Sequence, residues 1–251
     1  MTVEGIWNFI NKVPLEKIEY VLEGAEMNRR IAMEGLSGDY GLRVGKTLRL
    51  NVKKGLLCDD LANWAMALTA AASDARMAGC TLSVMSNSGS GNQGITVMLP
   101  IVAVAERINS PREKLIRALY LGNLIAIHLK EFMSKLSALC GTVTASTGAA
   151  CGITYLFGGD LPQINYTIKN MIGNISGVIC DGAKSGCALK VSTTINAALQ
   201  SALLAVENIE ISELDGIIEK NIEKTIRNLA TVASEGMETT DKVILDIMTC
   251  K

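Results

Sequence analysis

Aromatic residues make up only 4 % of this 251-residue chain: 5 Tyr, 3 Phe and 2 Trp. Hydrophobic residues nevertheless reach 49 %, so the core must be filled by Ala, Leu, Ile, Val and Met. Proline is scarce at 4 residues, and histidine occurs once, at His128. Acid–base chemistry therefore falls to lysine or carboxylate unless that one imidazole serves. No sign of charge prevails. Against 24 Lys+Arg stand 25 Asp+Glu, with no basic run or stripe, and nucleic acid is not expected as a partner. A long apolar run is missing as well. Residues 95–105 form the longest largely apolar stretch, yet they include Thr96 and Pro100 and fall short of the ~20 residues a bilayer span needs. No membrane partner is expected, even with a mean hydropathy of +0.28. The opening MTVEGIWNFINKV has no basic segment leading into an apolar one, so it does not read as a secretory leader, and a cytoplasmic location is expected. The 7 cysteines are odd in number and contain no CxxC pair, which argues against a disulfide framework.

What is present is helical punctuation. Pro14 opens a segment with Leu15, Ile18, Val21 and Leu22 at helical spacing, predicting a helix to about Leu36. Residues 58–78 are Ala-rich and read as another. Ser110, Pro111 and Glu113 form an N-cap, a first-turn proline and a capping-box glutamate, opening a helix predicted to reach about Leu139. After Ser212, the stripe Leu214, Ile217, Ile218, Ile222, Ile226 and Leu229 predicts a helix that stops at Gly236. Thr240 then caps a short one from Lys242 to Met248. Strand alternation is weak, and LRLNVK (48–53) is the only plausible short strand. The expectation is an all-α fold: one compact multi-helix catalytic domain over 1–251, with glycine-rich loops.

Three glycine-bearing segments interrupt the helices: SNSGSGNQG (86–94), CGTVTASTGAACG (140–152) and GNISGVICDGAKSGC (173–187). In the first, Gly89, Gly91 and Gly94 let the backbone turn N–H groups inward as an anion nest. Ser86, Asn87, Ser88, Ser90 and Asn92 add neutral donors, and a helix starting near Gln93 would add the positive end of its dipole. Such a loop suits a substrate carboxylate; an ordinary polar turn is the plainer alternative. It is neither a Walker A loop nor a dinucleotide fingerprint. Cys140 and Cys180 each end an apolar run just before glycine or Asp-Gly, where a thiolate can face a cavity. Cys151 and Cys187 read as structural.

The segments LSALCGTVTASTGAACGITYLFGG and NMIGNISGVICDGAKSGCALK, with SNSGSGNQGI upstream, resemble the family of L-cysteine desulfidases and the α-region of iron–sulfur L-serine dehydratases. The likeness runs in patches from about Glu23 to the C-terminus, and CDGAK and GSGNQG are its most specific parts. It implies a serine dehydratase α-domain-like fold and an oxygen-sensitive 4Fe–4S cluster held by three cysteines, two of them at Cys140 and Cys180. The third belongs, in such proteins, to an N-terminal region that has no counterpart here. It would come from such a domain, from a β-subunit, or from Cys250. The isolated chain is accordingly expected to be found without iron, and it is expected to form homo-oligomers.

The activity implied is α,β-elimination of L-cysteine to pyruvate, ammonia and sulfide, or, in the serine dehydratase version, loss of water from L-serine. Candidate catalytic residues are Lys184, as base or carboxylate ligand, His128 as base, and Asp181 as the group orienting Lys184 or the substrate ammonium. Two rivals stand beside this reading. A pyridoxal-phosphate lyase would need an α/β pattern that the sequence lacks. A non-catalytic apo subunit that assembles with a β-partner is kept open by the missing third cysteine.

Overall fold

The computed structural model describes residues 1–133 and 137–250. Eleven α-helices and no strand occur among them: α1 (Val3–Lys12), α2 (Val21–Ser37), α3 (Val44–Lys53), α4 (Leu61–Met77), α5 (Gly91–Arg107), α6 (Arg112–Glu131), α7 (Gly141–Leu156), α8 (Leu161–Ile175), α9 (Cys187–Val206), α10 (Ile222–Thr231) and α11 (Glu238–Thr249). The all-α expectation holds. No helix of the described residues is long and apolar enough to cross a membrane.

Helix α7 lies at the centre, packed against α5, α6, α8 and α9. Fourteen of its sixteen residues are buried, although five are Thr or Ser. Hydroxyls survive there because they bond back to their own helix: Thr147 Oγ1 donates to Val143 O (2.7 Å) and Thr154 Oγ1 to Ala150 O (2.9 Å). The small side chains also let backbones approach. A Cβ on Gly148 would lie 2.3 Å from Gly122 O, so α6 and α7 cross at a glycine–glycine contact. Two aliphatic clusters flank this centre, one built on α2, α4 and α5, the other on α1, α8 and α10.

The candidate strand 48–53 is instead the second half of α3. Val44, Leu48 and Val52 are half-buried at a spacing of four, while Leu50 is exposed. Gly45 fixes the choice, since a Cβ there would meet Ala67 O at 2.3 Å and Ala71 N at 2.5 Å on α4. Other boundaries also differ. The segment opened by Pro14 splits into a short 3-10 turn (Leu15–Lys17) and α2. Helix α6 ends at Glu131, with Pro111 as its N-cap and the Ser110 hydroxyl buried without a partner, so the expected cap does not form. Residues 212–221 make turns, with Leu214 exposed and Gly216 at φ +56°. The stripe becomes helical only at α10, which continues through a π turn to Gly236. Helix α11 begins at Glu238 without a side-chain cap, and none of its residues is buried.

Asp74, on α4 and completely buried, closes the N-terminus of α3 by accepting from Gly45 N (3.1 Å). Burial pushes its carboxyl up to about 6, against backbone N–H bonds that act in the opposite direction. A pKa above the unfolded value gives stability that is complete below about 4 and is lost as the pH rises through 6. Asp74→Asn should remove this loss. The stability of the variant relative to the parent should grow by about 2 kcal/mol between pH 4 and 7, read from urea unfolding at each pH.

Candidate functional site

Cys140 is the N-cap of α7, and Cys180 lies in the loop between α8 and α9. Forty residues apart, they are joined by a minimal antiparallel bridge, Leu139 opposite Ile179. Cys140 N donates to Val178 O (2.9 Å) and Cys180 N to Ala138 O (2.6 Å). Side chains alternate along extended backbone, so Cys140 and Cys180 share the face opposite Leu139 and Ile179. Diagonal neighbours of this kind have Cα atoms roughly 7–8 Å apart. Their side chains close that gap, for the two sulfurs hydrogen-bond to each other, and two thiolates so placed can share one metal group.

The two thiols are electrostatically unlike. The hydrogen bond with Cys140 does most to bring Cys180 down to about 6, against burial and with help from Gly182 N–H and the Lys190 charge. The same hydrogen bond, with burial, pushes Cys140 far up, although Thr142 Oγ1 donates to its Sγ at 3.2 Å. One thiolate is thus stabilised by a neighbouring thiol. Iodoacetamide should alkylate Cys180 with a half-maximal rate near pH 6 and leave Cys140 and the completely buried Cys151 unmodified, as peptide mass spectrometry would show. A midpoint near the ordinary thiol value would break the pairing.

Beyond the cysteines lies a charged knot. Asp181 is ion-paired with both Lys184 and Lys190, Lys184 first among the causes that hold its carboxyl below the usual range. Lys190 Nζ also donates to Ile179 O (2.6 Å), tying α9 to the bridge. Lys184 is exposed. Lys130 of α6, partly buried, feels the Cys180 charge while burial lowers its pKa. Neither Lys130 nor Lys190 was singled out by the sequence reading, because no local spacing links them to Cys180.

The glycine loop divides its work. Helix α5 begins at Gly91, close to the expected start. Ser88 and Gly89 take positive φ, 48° and 80°, in a turn closed by Asn87 N to Ser90 O (3.1 Å) and Ser90 N to Asn87 O (3.0 Å). Ser86, Asn87 and Ser88 line a cavity of about 310 Å³ together with Tyr20, Met85 and Asn123. Asn87 Nδ2 is held by Asn123 Oδ1 (2.9 Å), and Asn92 Nδ2 lies 3.2 Å from Met77 Sδ. At the other end of the loop, Gln93 packs on Gly141, the residue after Cys140: a Cβ there would lie 2.7 Å from its Nε2. The N-termini of α5 and α7 therefore meet beside Cys140.

One expected residue, His128, lies elsewhere. His128 is completely buried on α6, its Nε2 2.8 Å from Glu223 Oε2, while Glu223 Oε1 accepts from Val3 N (2.7 Å). It fastens α6 to α10 and α1. Cys250 is exposed at the end of α11, whose Met248 packs near Gly182, 3.2 Å from where a Cβ would stand. Among the described residues no group of three His, Cys, Asp or Glu side chains could hold a metal ion. Cys140 and Cys180 suit an iron–sulfur group in donor chemistry and in sharing one face, and would supply two of its thiolates.

The sequence model of the family described as "Serine dehydratase alpha chain" matches residues 6–246. The chain belongs to that family. It is also similar, along its whole length, to curated relatives named "UPF0597 protein". One from Oleidesulfovibrio alaskensis is 51% identical over 251 residues, covering 100% of this chain and 59% of the relative. One from Parabacteroides distasonis is 48% identical over 246 residues (98% and 57%), and one from Clostridium perfringens 47% over 247 residues (98% and 58%). The chain spans about three-fifths of the length of these relatives.

Proposed function

We propose that this member of the serine dehydratase alpha chain family is the thiolate-bearing catalytic part of an iron–sulfur lyase, which eliminates sulfide from L-cysteine or water from L-serine to give pyruvate and ammonia. Family membership supports the lyase class. The observation that carries the rest is the Cys140–Cys180 pair, two sulfurs on one face at a helix N-terminus with Cys180 brought down to about 6. In this reading the two thiolates hold a 4Fe–4S cluster, and the third thiolate comes from outside the described residues near the pair, through an additional domain or a β-subunit. Such a group supplies Lewis acidity toward the substituent on Cβ.

The chain's own residues do the remaining work. The loop glycines and the first turn of α5 present N–H donors to the substrate carboxylate, stabilising negative charge that spreads there as the Cα proton leaves. Lys184, exposed at the edge of the Cys180 loop, is an ammonium ion-paired with Asp181 rather than a free amine, so in this reading it binds the substrate carboxylate instead of serving as the base. Lys190 holds the loop in register through Ile179 O and Asp181. Pyruvate release from L-cysteine and L-serine, measured anaerobically after iron and sulfide loading and coupled to lactate dehydrogenase, tests the activity. Lys184→Ala should raise KM at least about 10-fold with iron content unchanged; a near-normal KM would remove Lys184 from the site.

A further inference from the structure

An α-amino acid brings two charges to a site, and the donors around the glycine loop answer only the carboxylate. Acceptors for the ammonium are few. Asp181 is taken up by Lys184 and Lys190, and Asn87 Oδ1 accepts from Ser88 (2.8 Å). The first turns of α5 are different. Asn92 Oδ1, Gln93 Oε1 and Thr96 Oγ1 are all buried there without a hydrogen-bond partner. Thr96 follows Gln93 by three positions and Asn92 by four, the spacings that place helical side chains on adjoining parts of one face.

Gln93 is the most telling of the three. It is 9% exposed, and its carboxamide lies against Gly141, where a Cβ would stand 2.7 Å from Nε2 and 2.9 Å from Cδ. Gly141 directly follows Cys140. A buried carbonyl oxygen left unpaired costs about 1–3 kcal/mol, and here a glycine is needed to admit the side chain that carries it. An orphaned acceptor at the meeting of two helix N-termini, one residue from a site thiol, is a place prepared for a donor carried by the ligand.

We infer that Gln93 is a specificity-determining residue: its Oε1 accepts from the substrate's α-ammonium, so the site selects α-amino acids over hydroxy acids of the same length. The inference rests on the proposed site and names the group that reads the amino end of its substrate. An ammonium has three N–H donors, and Thr96 Oγ1, one turn along α5 from Gln93, is a further buried acceptor without a partner. A ligand with hydrogen in place of the amine leaves Gln93 unpaired in a water-poor site. Sites built to hydrogen-bond a substrate group reject analogues that lack it.

The test compares L-serine with 3-hydroxypropionate, which lacks only the amine, by calorimetric titration of the iron-free chain. Wild type should bind L-serine at least about 10-fold tighter. Gln93→Leu should bring the two affinities together while leaving that for 3-hydroxypropionate within about twofold. Gln93→Glu, which keeps an acceptor and adds charge, should restore or widen the preference and guards against a Leu variant that fails to fold. A preference that persists in Gln93→Leu, is lost in Gln93→Glu, or is absent from wild type overturns the inference and leaves the lyase reading standing. Wild type that binds neither compound overturns the proposed substrate site, and the inference falls with it.

Discussion

Replacing Cys180 with alanine is expected to abolish iron uptake on anaerobic reconstitution and to reduce pyruvate formation at least about 100-fold, with the helical fold intact. Cys180 is half-buried in a loop, so removing its sulfur opens no cavity in the core. The bridge that holds the loop is made by backbone atoms at 138, 140, 178 and 180, which alanine preserves. Cys140→Ala should lose iron to the same extent. Its substitution also removes the hydrogen-bond partner of Cys180, so the pH midpoint for Cys180 alkylation should rise toward the ordinary thiol value. Cys151→Ala and Cys58→Ala serve as controls: one sulfur is completely buried away from the pair, the other exposed, and both variants should keep their iron. Circular dichroism reads the fold, and iron and sulfide analysis reads the site.

Gly94→Ala should be the most damaging single-methyl change in the glycine loop. A Cβ there would lie 1.9 Å from Met85 O and 2.8 Å from Met85 C, both backbone atoms that no rotamer change can move. Either the 85–90 turn shifts away from α5, or α5 loses its first turn. In both cases the donors for the carboxylate and the reach of Gln93 to Gly141 are lost together. Pyruvate formation should fall at least about 100-fold, and stability should drop by about 3 kcal/mol in urea unfolding. Gly89→Ala gives the contrast. Gly89 has φ +80° with nothing within 4 Å of an added Cβ, so the cost is backbone strain of about 1–2 kcal/mol, with activity largely kept. A Gly94→Ala enzyme as active as Gly89→Ala would show that close packing of the loop on α5 is not what the site needs.

The fold class was legible in the sequence because small aliphatic residues at helical spacing leave little else to build. The family was legible in GSGNQG and CDGAK. Element boundaries were less so, for identifiable reasons. LRLNVK alternates like a strand, but Gly45 must nest on the α4 backbone, and that contact exists only if the segment is helical. The stripe from Leu214 has helical spacing, but Gly216 takes a left-handed conformation and leaves Leu214 in solvent. Helix α6 stops short of Leu139 because residues 138–140 extend to meet 178–180.

The site divides in the same way. Cys140 and Cys180 were found as boundary residues, yet their shared face depends on a bridge across forty residues, which no local pattern encodes. Lys190 joins the site only because α9 turns back over the loop. Gln93 stood inside the recognised motif and was passed over as a helix start. Its significance lies in an unpaired oxygen and a neighbouring glycine at 141, neither of which a one-dimensional reading can display. His128 drew notice as the lone imidazole, and the structure gives it Glu223 and a tie between helices.

The central claim is that Cys140 and Cys180 are two ligands of one iron–sulfur group. Iron K-edge X-ray absorption of the anaerobically reconstituted chain, beside the Cys140→Ala/Cys180→Ala double variant, addresses it most directly. The account predicts a sulfur-dominated first shell in the parent chain and no bound iron in the double variant. Iron held only by oxygen or nitrogen in the parent, or a sulfur shell that survives in the double variant, would contradict it.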